Sequence, residues 1–345
     1  MASGWVHAMA HLLCLLLVMC VLACSGPASS VPPGVGRAVA APAASGRSEP
    51  VRLWQDASIF TLVGSLIASA RHRVLVEVYE LGRSDIVRLL GARKERGVDV
   101  RVITDPTVAA SRRAADWLAR LGVPERAYPV DDGRHQIDHV KLLIADGDAV
   151  VGGMNWGAHS DRNHDYVLET RVGAEIGRLV AIFEQDWSLA VGRPAPLAAM
   201  VGKIAQTAPG QEIRTMLEAA LDLAGQRVLA EVYTLTDPAT IARLAAAKRR
   251  GVLVRVLLDP NQAYNRHGYS VLQAAGVEVR WFPVPRGTLL HAKIGLFDAV
   301  LVLGSANWTL SGLGVNHELD IETEDAGPVG AYAARFAADW DRSGG

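Results

Sequence analysis

The chain repeats itself, and this repetition limits what it can fold into more than any other feature. Arg73, Glu77 and Tyr79 stand in a β-branched run that recurs as Arg227, Glu231 and Tyr233. Arg96-Gly97, followed by Asp105-Pro106, recurs at the same offset as Arg250-Gly251 and Asp259-Pro260. Farther on, His139, Lys141, Gly152, Asn155 and Trp156 recur as His291, Lys293, Gly304, Asn307 and Trp308, with the offset changed by two residues. So long a period is not that of a stacked solenoid unit. The chain reads as two tandem copies of one domain, 51–198 and 199–345.

Each copy alternates two periodicities. β-Branched runs at 74–78 and 98–103 flank a helical pattern at 85–96 that Gly97 closes. The second copy has runs at 228–232 and 252–257 around a helical pattern at 238–250, with Pro238 near its start and Gly251 past its end, the positions each residue favours. Strand, helix, strand in that order predicts βαβ units. The expected class is α/β: a tandem duplicated α/β/α sandwich with mixed, mostly parallel sheets. Half of the residues are apolar, ample for a buried core.

Ahead of the repeats lies a different kind of sequence. Residues 12–23 are almost wholly apolar, too short a run for a bilayer span of about 20 residues and the length of a signal-peptide core. We read 1–24 as a signal peptide, although 1–11 lack the Lys or Arg that such signals normally carry. Its end, 21–24, resembles the bacterial lipobox, in which a cysteine, here Cys24, is acylated. The expected location is outside the cytoplasm: a membrane-tethered lipoprotein of the cell envelope, or a secreted or periplasmic protein, with an uncleaved N-terminal anchor as the alternative. Residues 25–49 are rich in Ala, Pro and Gly without apolar periodicity, which reads as a flexible linker. The three cysteines are Cys14, Cys20 and Cys24, so the repeats hold neither a disulfide framework nor a cysteine-ligated metal. A formal charge of -1 with no basic run gives no electrostatic footprint for nucleic acid.

The chemistry concentrates in one motif present twice. His139, Lys141 and Asp146, and again His291, Lys293 and Asp298, follow a His-x-Lys-x4-Asp spacing. On a strand, residues two apart share a face, so each His and Lys project together. Lysine is otherwise scarce, present only as Lys94, Lys203 and Lys248, which makes a chance double match a poor explanation. An ammonium suits a phosphate oxygen as a point charge, and an imidazole serves as nucleophile or general acid. Small residues at Gly152-Gly153 and Gly304-Ser305 allow close approach of a ligand, and Asn155 and Asn307 offer amide donors.

These motifs, with Asn163-His-Asp165 and Asn316-His-Glu318 downstream, resemble the phospholipase D superfamily over nearly all of 51–345. The resemblance implies two phospholipase D-like domains with one active site where they meet. It also implies a metal-independent, two-step displacement through a phosphohistidine. His139 is the implied nucleophile and His291 the implied acid, in an order that near-symmetry leaves reversible. Lys141, Lys293, Asn155 and Asn307 would hold the phosphate, Asp165 and Glu318 would orient the imidazoles, and Asp146 and Asp298 would hold turns.

No metal-spaced cluster or nucleotide loop is seen, so neither metal nor cofactor is expected. Glu77/Tyr79 and Glu231/Tyr233 read equally as cleft lining or packing, His159 and His164 as loop or surface histidines, and Trp156 and Trp308 as core. The expected partner is a phospholipid at a membrane surface, acted on by a monomer without an obligatory protein partner. Nucleic acid is the alternative substrate, since 304–309 also resembles the superfamily's endonucleases; a catalytically dead binding protein is the third reading.

Overall fold

Each sheet is assembled in two stages, a helix-linked parallel part and a turn-linked antiparallel part. The computed structural model describes residues 50–193, 202–207 and 211–344. The expected signal peptide, Cys24 and linker, and the boundary at 198, lie outside the described residues. The first half runs β1 (Val51–Gln55), α1 (Ser58–Ser69), β2 (Arg73–Val78), α2 (Ser84–Glu95), β3 (Asp99–Thr104), α3 (Ala109–Arg120), β4 (Glu125–Ala127), β5 (Lys141–Ala145), β6 (Asp148–Gly152), β7 (Tyr166–Thr170) and α4 (Gly173–Leu189). The second runs β8 (Ile204–Gln206), α5 (Glu212–Leu223), β9 (Arg227–Val232), α6 (Pro238–Arg249), β10 (Leu253–Leu258), α7 (Asn265–Ala274), β11 (Glu278–Trp281), β12 (Lys293–Phe297), β13 (Val300–Gly304), α8 (Leu310–Gly314), β14 (Leu319–Thr323) and α9 (Ala326–Arg342).

Among the described residues each half forms one seven-stranded sheet, ordered β1-β7-β6-β5-β2-β3-β4 and β11-β10-β9-β12-β13-β14-β8. Among these strands only β2-β3-β4 and β9-β10-β11 are parallel; every other strand pair is antiparallel. The expectation of mostly parallel sheets is thus corrected. Helical crossovers make β2, β3 and β4 parallel, but β5 and β6 are joined by Asp146-Gly147 alone, and a two-residue connection permits only an antiparallel pair. Asp298-Ala299 does the same for β12 and β13. Asp146 and Asp298 take left-handed φ values of 50° and 52°.

Alternation within the strands then sets the layers. Val74, Val76, Val100, Val102, Leu143 and Val150 face outward onto the helices α1–α3. Leu75, Ile103, Leu142, Ile144, Val151 and Leu168 face inward, where they meet Leu229, Ile294, Leu296, Leu301, Leu303 and Ile321 of the other half. The helices α4 and α9 insert Leu179, Phe183, Tyr332 and Phe336 into this same inner layer, while α5–α7 cover the far face of the second sheet. The two sandwiches therefore share a central core, and from Ser48 onward the chain is one compact unit.

At the ends of the strands far from the histidines, Asp146 accepts backbone hydrogen bonds from Arg71, His72 and Arg73 at 2.7–2.9 Å. Asp298 accepts from Gly225, Gln226 and Arg227 at 2.8–2.9 Å. Both carboxyls are held below their usual pKa: burial opposes the shift, and the backbone donors outweigh it. We expect Asp146→Ala to cost about 1–2 kcal/mol of stability, the scale of a lost helix cap, in urea denaturation. Turnover per folded molecule should be unchanged; a fall would place Asp146 in the chemistry.

Candidate active site

The backbone stitches each half to the other beside its motif histidine. His139 N donates to His317 O at 2.8 Å, and His317 N to Ile137 O at 2.9 Å. The mirror contact joins His291 N to His164 O at 2.8 Å and His164 N to Leu289 O at 2.9 Å. Each Asn-His-acid segment therefore lies against the other half's histidine. Glu318 Oε2 sits 2.9 Å from His139 Nδ1, and Asp165 Oδ2 sits 2.7 Å from His291 Nδ1. The acid orients the imidazole of the opposite copy, an exchange invisible in the linear motif.

Neighbouring residues are matched to the two acid lengths. Ser305 Oγ donates to Glu318 at 2.6 Å, and Asn316 Nδ2 donates to its other oxygen at 3.0 Å. At the place of Ser305 the first half has Gly153, where an added Cβ would lie 2.4 Å from Asp165 Oδ1. The shorter acid thus reaches its histidine by using the space a side chain would fill. A carboxylate on Nδ1 fixes the ring so that Nε2 is left for chemistry.

His139 and His291 lie just ahead of β5 and β12, not within them. Lys141 and Lys293 are the first residues of those strands, 3% and 2% exposed, and each ammonium turns back to the carbonyl of its own histidine, at 2.6 and 2.5 Å. The two motifs meet electrostatically: the charge of Lys293 is felt at His139, and that of Lys141 at His291. Tyr79 and Tyr233 stand beside these pairs, with rings 4.9 and 4.7 Å from His139 and His291 and the lysine ammoniums 5.2 and 5.1 Å from the ring centres. Of the Glu/Tyr pairs, the tyrosines pack directly on the motif histidines, while Glu77 and Glu231 are fully buried.

Burial lowers Lys141 to about 7, against the pull of Glu318, and Lys293 to about 8, against Asp165. Burial also lowers His139 despite Glu318, and burial with Lys293 lowers His291 to about 3 despite Asp165. Lysine carries its charge only below its pKa. Raising the pH through about 7–8 therefore removes the positive charge that would meet an anionic substrate. We expect kcat/KM, which reports the free enzyme, to fall on the alkaline side across that range; a profile flat to about pH 9.5 would contradict this assignment.

The amides behave differently from the histidine–lysine pairs. Asn155 and Asn307 each leave a buried Oδ1 without a hydrogen-bond partner among the described residues. Neither hydrogen-bonds to His139, Lys141, His291 or Lys293. Trp156 and Trp308 are buried and belong to the outer cores.

Several residues were missed by sequence reading. His164, expected on a loop or the surface, is 7% exposed and packed against Glu231 and Asp56. Its counterpart His317 is 1% exposed against Asp186 and Glu77. The signal was present: Asn-His-acid occurs twice, and Phe183-x-x-Asp186-Trp187 recurs as Phe336-x-x-Asp339-Trp340.

A family model described as "Cardiolipin synthase, PLD-like domain" matches residues 63–187 and again 217–340. The chain belongs to this PLD-like family. Among curated proteins this PLD-like chain is 28% identical over 322 residues to cardiolipin synthase A of Pseudomonas aeruginosa (strain LESB58), covering 82% of this chain and 65% of that protein. It is 27% identical over 303 residues to cardiolipin synthase A of Pseudomonas fluorescens (strain SBW25), covering 77% and 63%. The chain thus spans just under two thirds of the length of these relatives. Among solved structures, the PLD-like fold matches phosphatidylserine synthase of Haemophilus influenzae Rd KW20 with a TM-score of 0.68 at 14% identity, over 85% of this chain and 86% of that one. It also matches polyphosphate kinase of Porphyromonas gingivalis with a TM-score of 0.62 at 16% identity, over 84% and 47%.

Proposed function

We propose that this chain is a phosphodiesterase that cleaves or transfers the phosphatidyl group of glycerophospholipids through a phosphohistidine. The observation that carries the reading is the crosswise pairing of Glu318 with His139 and Asp165 with His291, beside two buried lysines. Relatives named cardiolipin synthase A support the lipid substrate. The apolar run at 12–23 and Cys24 support an exported, membrane-tethered enzyme.

In the first step His139 Nε2 attacks phosphorus, an N–P bond forms, and the P–O bond to the headgroup alcohol breaks. His291 gives its proton to the leaving oxygen. In the second step water or an acceptor alcohol gives a proton to His291 and attacks phosphorus, and the N–P bond breaks. Lys141 and Lys293 neutralise the non-bridging oxygens, where charge gathers in the transition state. In the free protein the Lys293 ammonium lies 3.0 Å from His291 Nε2, which disfavours a second positive charge there. Phosphate draws that ammonium onto its own oxygens and adds negative charge, so His291 becomes a competent acid once substrate is bound. No step in this scheme requires a metal ion.

The test is a parallel assay on phosphatidylglycerol, phosphatidylcholine and DNA, with acid-labile phosphate trapped on the protein and mapped by mass spectrometry. Headgroup release with phosphate on His139 is expected; phosphate on His291 reverses the roles. Failure on every lipid together with cleavage of DNA would overturn the lipid reading.

A further inference from the structure

One residue ahead of each orienting acid, the fold buries a histidine among carboxylates, and the two clusters are not electrically equivalent. Around His164 lie Asp56 at 2.8 Å, Glu231 at 2.9 Å and Asp339 at 3.4 Å. Arg335 pairs with Asp339 at 2.7 Å and with Asp56 at 3.2 Å, and Arg342 also pairs with Asp339. Three carboxylates face an imidazolium and two guanidiniums, so this cluster is close to neutral.

Around His317 the guanidiniums are gone. Asp186 lies 3.1 Å and Glu77 3.4 Å from its Nε2, and ligand atoms of Glu77, Asp138 and His317 all fall within 4.8 Å of one another. The helices α4 and α9 correspond residue for residue through Asp186 and Asp339, and the places of Arg335 and Arg342 are taken by Ile182 and Leu189. Asp138 stands where the other half has Leu290. Relative to its twin, this cluster keeps three carboxylates, with Asp138 in place of an acid at the position of Asp56, and has lost both guanidiniums. Among the described residues no lysine or arginine forms an ion pair with Glu77, Asp138 or Asp186.

The acids that no guanidinium meets also carry unfilled atoms. Glu77 is 0% exposed, it is aimed at His317, and neither of its carboxylate oxygens has a hydrogen-bond partner. Asp138 Oδ2, Asp186 Oδ1 and His317 Nδ1 are buried and equally unpartnered. A buried carboxylate is paired, bound to metal or neutralised by a proton; burial pushes Glu77 up to about 7 and Asp138 well above the carboxylate range, so an ion here would take the place of protons.

We propose that Glu77, Asp138, Asp186 and His317 form a binding site for a divalent cation at the seam between the halves. Carboxylates with one neutral imidazole suit a zinc- or manganese-type ion. Such an ion, with bonds of about 2.0–2.2 Å, spans the observed spacing after a small inward shift. It replaces one imidazolium charge with two, bringing three carboxylates to a net charge of -1. The ion lies behind the reacting groups: Asp138 is the chain neighbour of His139, and His317 of Glu318. It is a positioning element that clamps both partners of one catalytic pair, not a participant in the displacement.

The untagged full chain, incubated in turn with Zn2+, Mn2+, Mg2+ and Ca2+ and then desalted, should retain about one ion per chain by elemental mass spectrometry. It should also melt at a higher temperature than chelator-stripped protein. Asp138→Leu, which copies Leu290 of the other half, and Glu77→Gln should each lower retention to about 0.1 ion or less. Retention near zero by the unaltered chain with every ion, alongside a melting temperature indifferent to all of them, overturns the proposal. So does undiminished retention in a folded Asp138→Leu protein, which would place the ion elsewhere. Should neither variant fold, ion content and melting of the unaltered chain decide the matter.

Discussion

Replacing either His139 or His291 by alanine is expected to lower phosphodiester turnover by on the order of 10⁴-fold or more, with the melting temperature little changed. In the proposed scheme the two imidazoles act as a unit, so the double variant should be scarcely worse than either single one. The singles should differ in what they leave behind. Loss of the nucleophile abolishes the covalent intermediate. Loss of the acid still permits attack on a substrate with a good leaving group such as p-nitrophenol, and phosphate then accumulates on the surviving histidine. A variant of either residue that keeps more than about a tenth of normal turnover would remove it from the chemistry.

The orienting acids should show the next largest effects, and they should do so crosswise. Glu318→Gln is expected to lower kcat by about 10²- to 10⁴-fold through His139, and Asp165→Asn similarly through His291, with less change in KM, because each removes the group that holds the ring and its tautomer. Their order in the chain pairs each acid with its own copy, so a trapping experiment separates the two arrangements. If His139 is the nucleophile, Glu318→Gln should suppress phosphohistidine formation, while Asp165→Asn should allow it to form from an activated substrate. The opposite pattern would contradict the exchange. The neighbouring residues offer a finer check. Gly153→Ser alone should be damaging, because its Cβ would run into Asp165. Combined with Asp165→Glu it reproduces the Ser305–Glu318 pair, and activity should partly return.

Much of the fold was legible because duplication supplied an internal alignment. The strands around 74–78 and 228–232, the helices ended by Gly97 and Gly251, and the parallel crossovers all follow from local periodicity and chain punctuation. The antiparallel remainder was misjudged where Asp146-Gly147 was read only as a turn beyond a strand, although a two-residue Asp-Gly link is itself a hairpin signal. His164 was read as a loop or surface histidine because a single polar residue on a loop is usually exposed. Its burial depends on Glu231, Asp56 and Asp339, each distant in sequence, and no local rule reaches them.

By itself, the sequence determined that there are two similar α/β units, each offering one histidine and one lysine at a fixed spacing, because such patterns are written in neighbours along the chain. Tertiary structure alone decided that the orienting acids are exchanged, that the inner faces and the helices α4 and α9 merge into one core, and that of two apparently equivalent histidine clusters one is met by two guanidiniums and the other by none. The physical reason is common to all three. Hydrogen bonds, burial and charge compensation act over a few ångströms through space, and the groups they join here lie far apart in the chain: 179 residues between His139 and Glu318, 126 between Asp165 and His291 and 67 between His164 and Glu231.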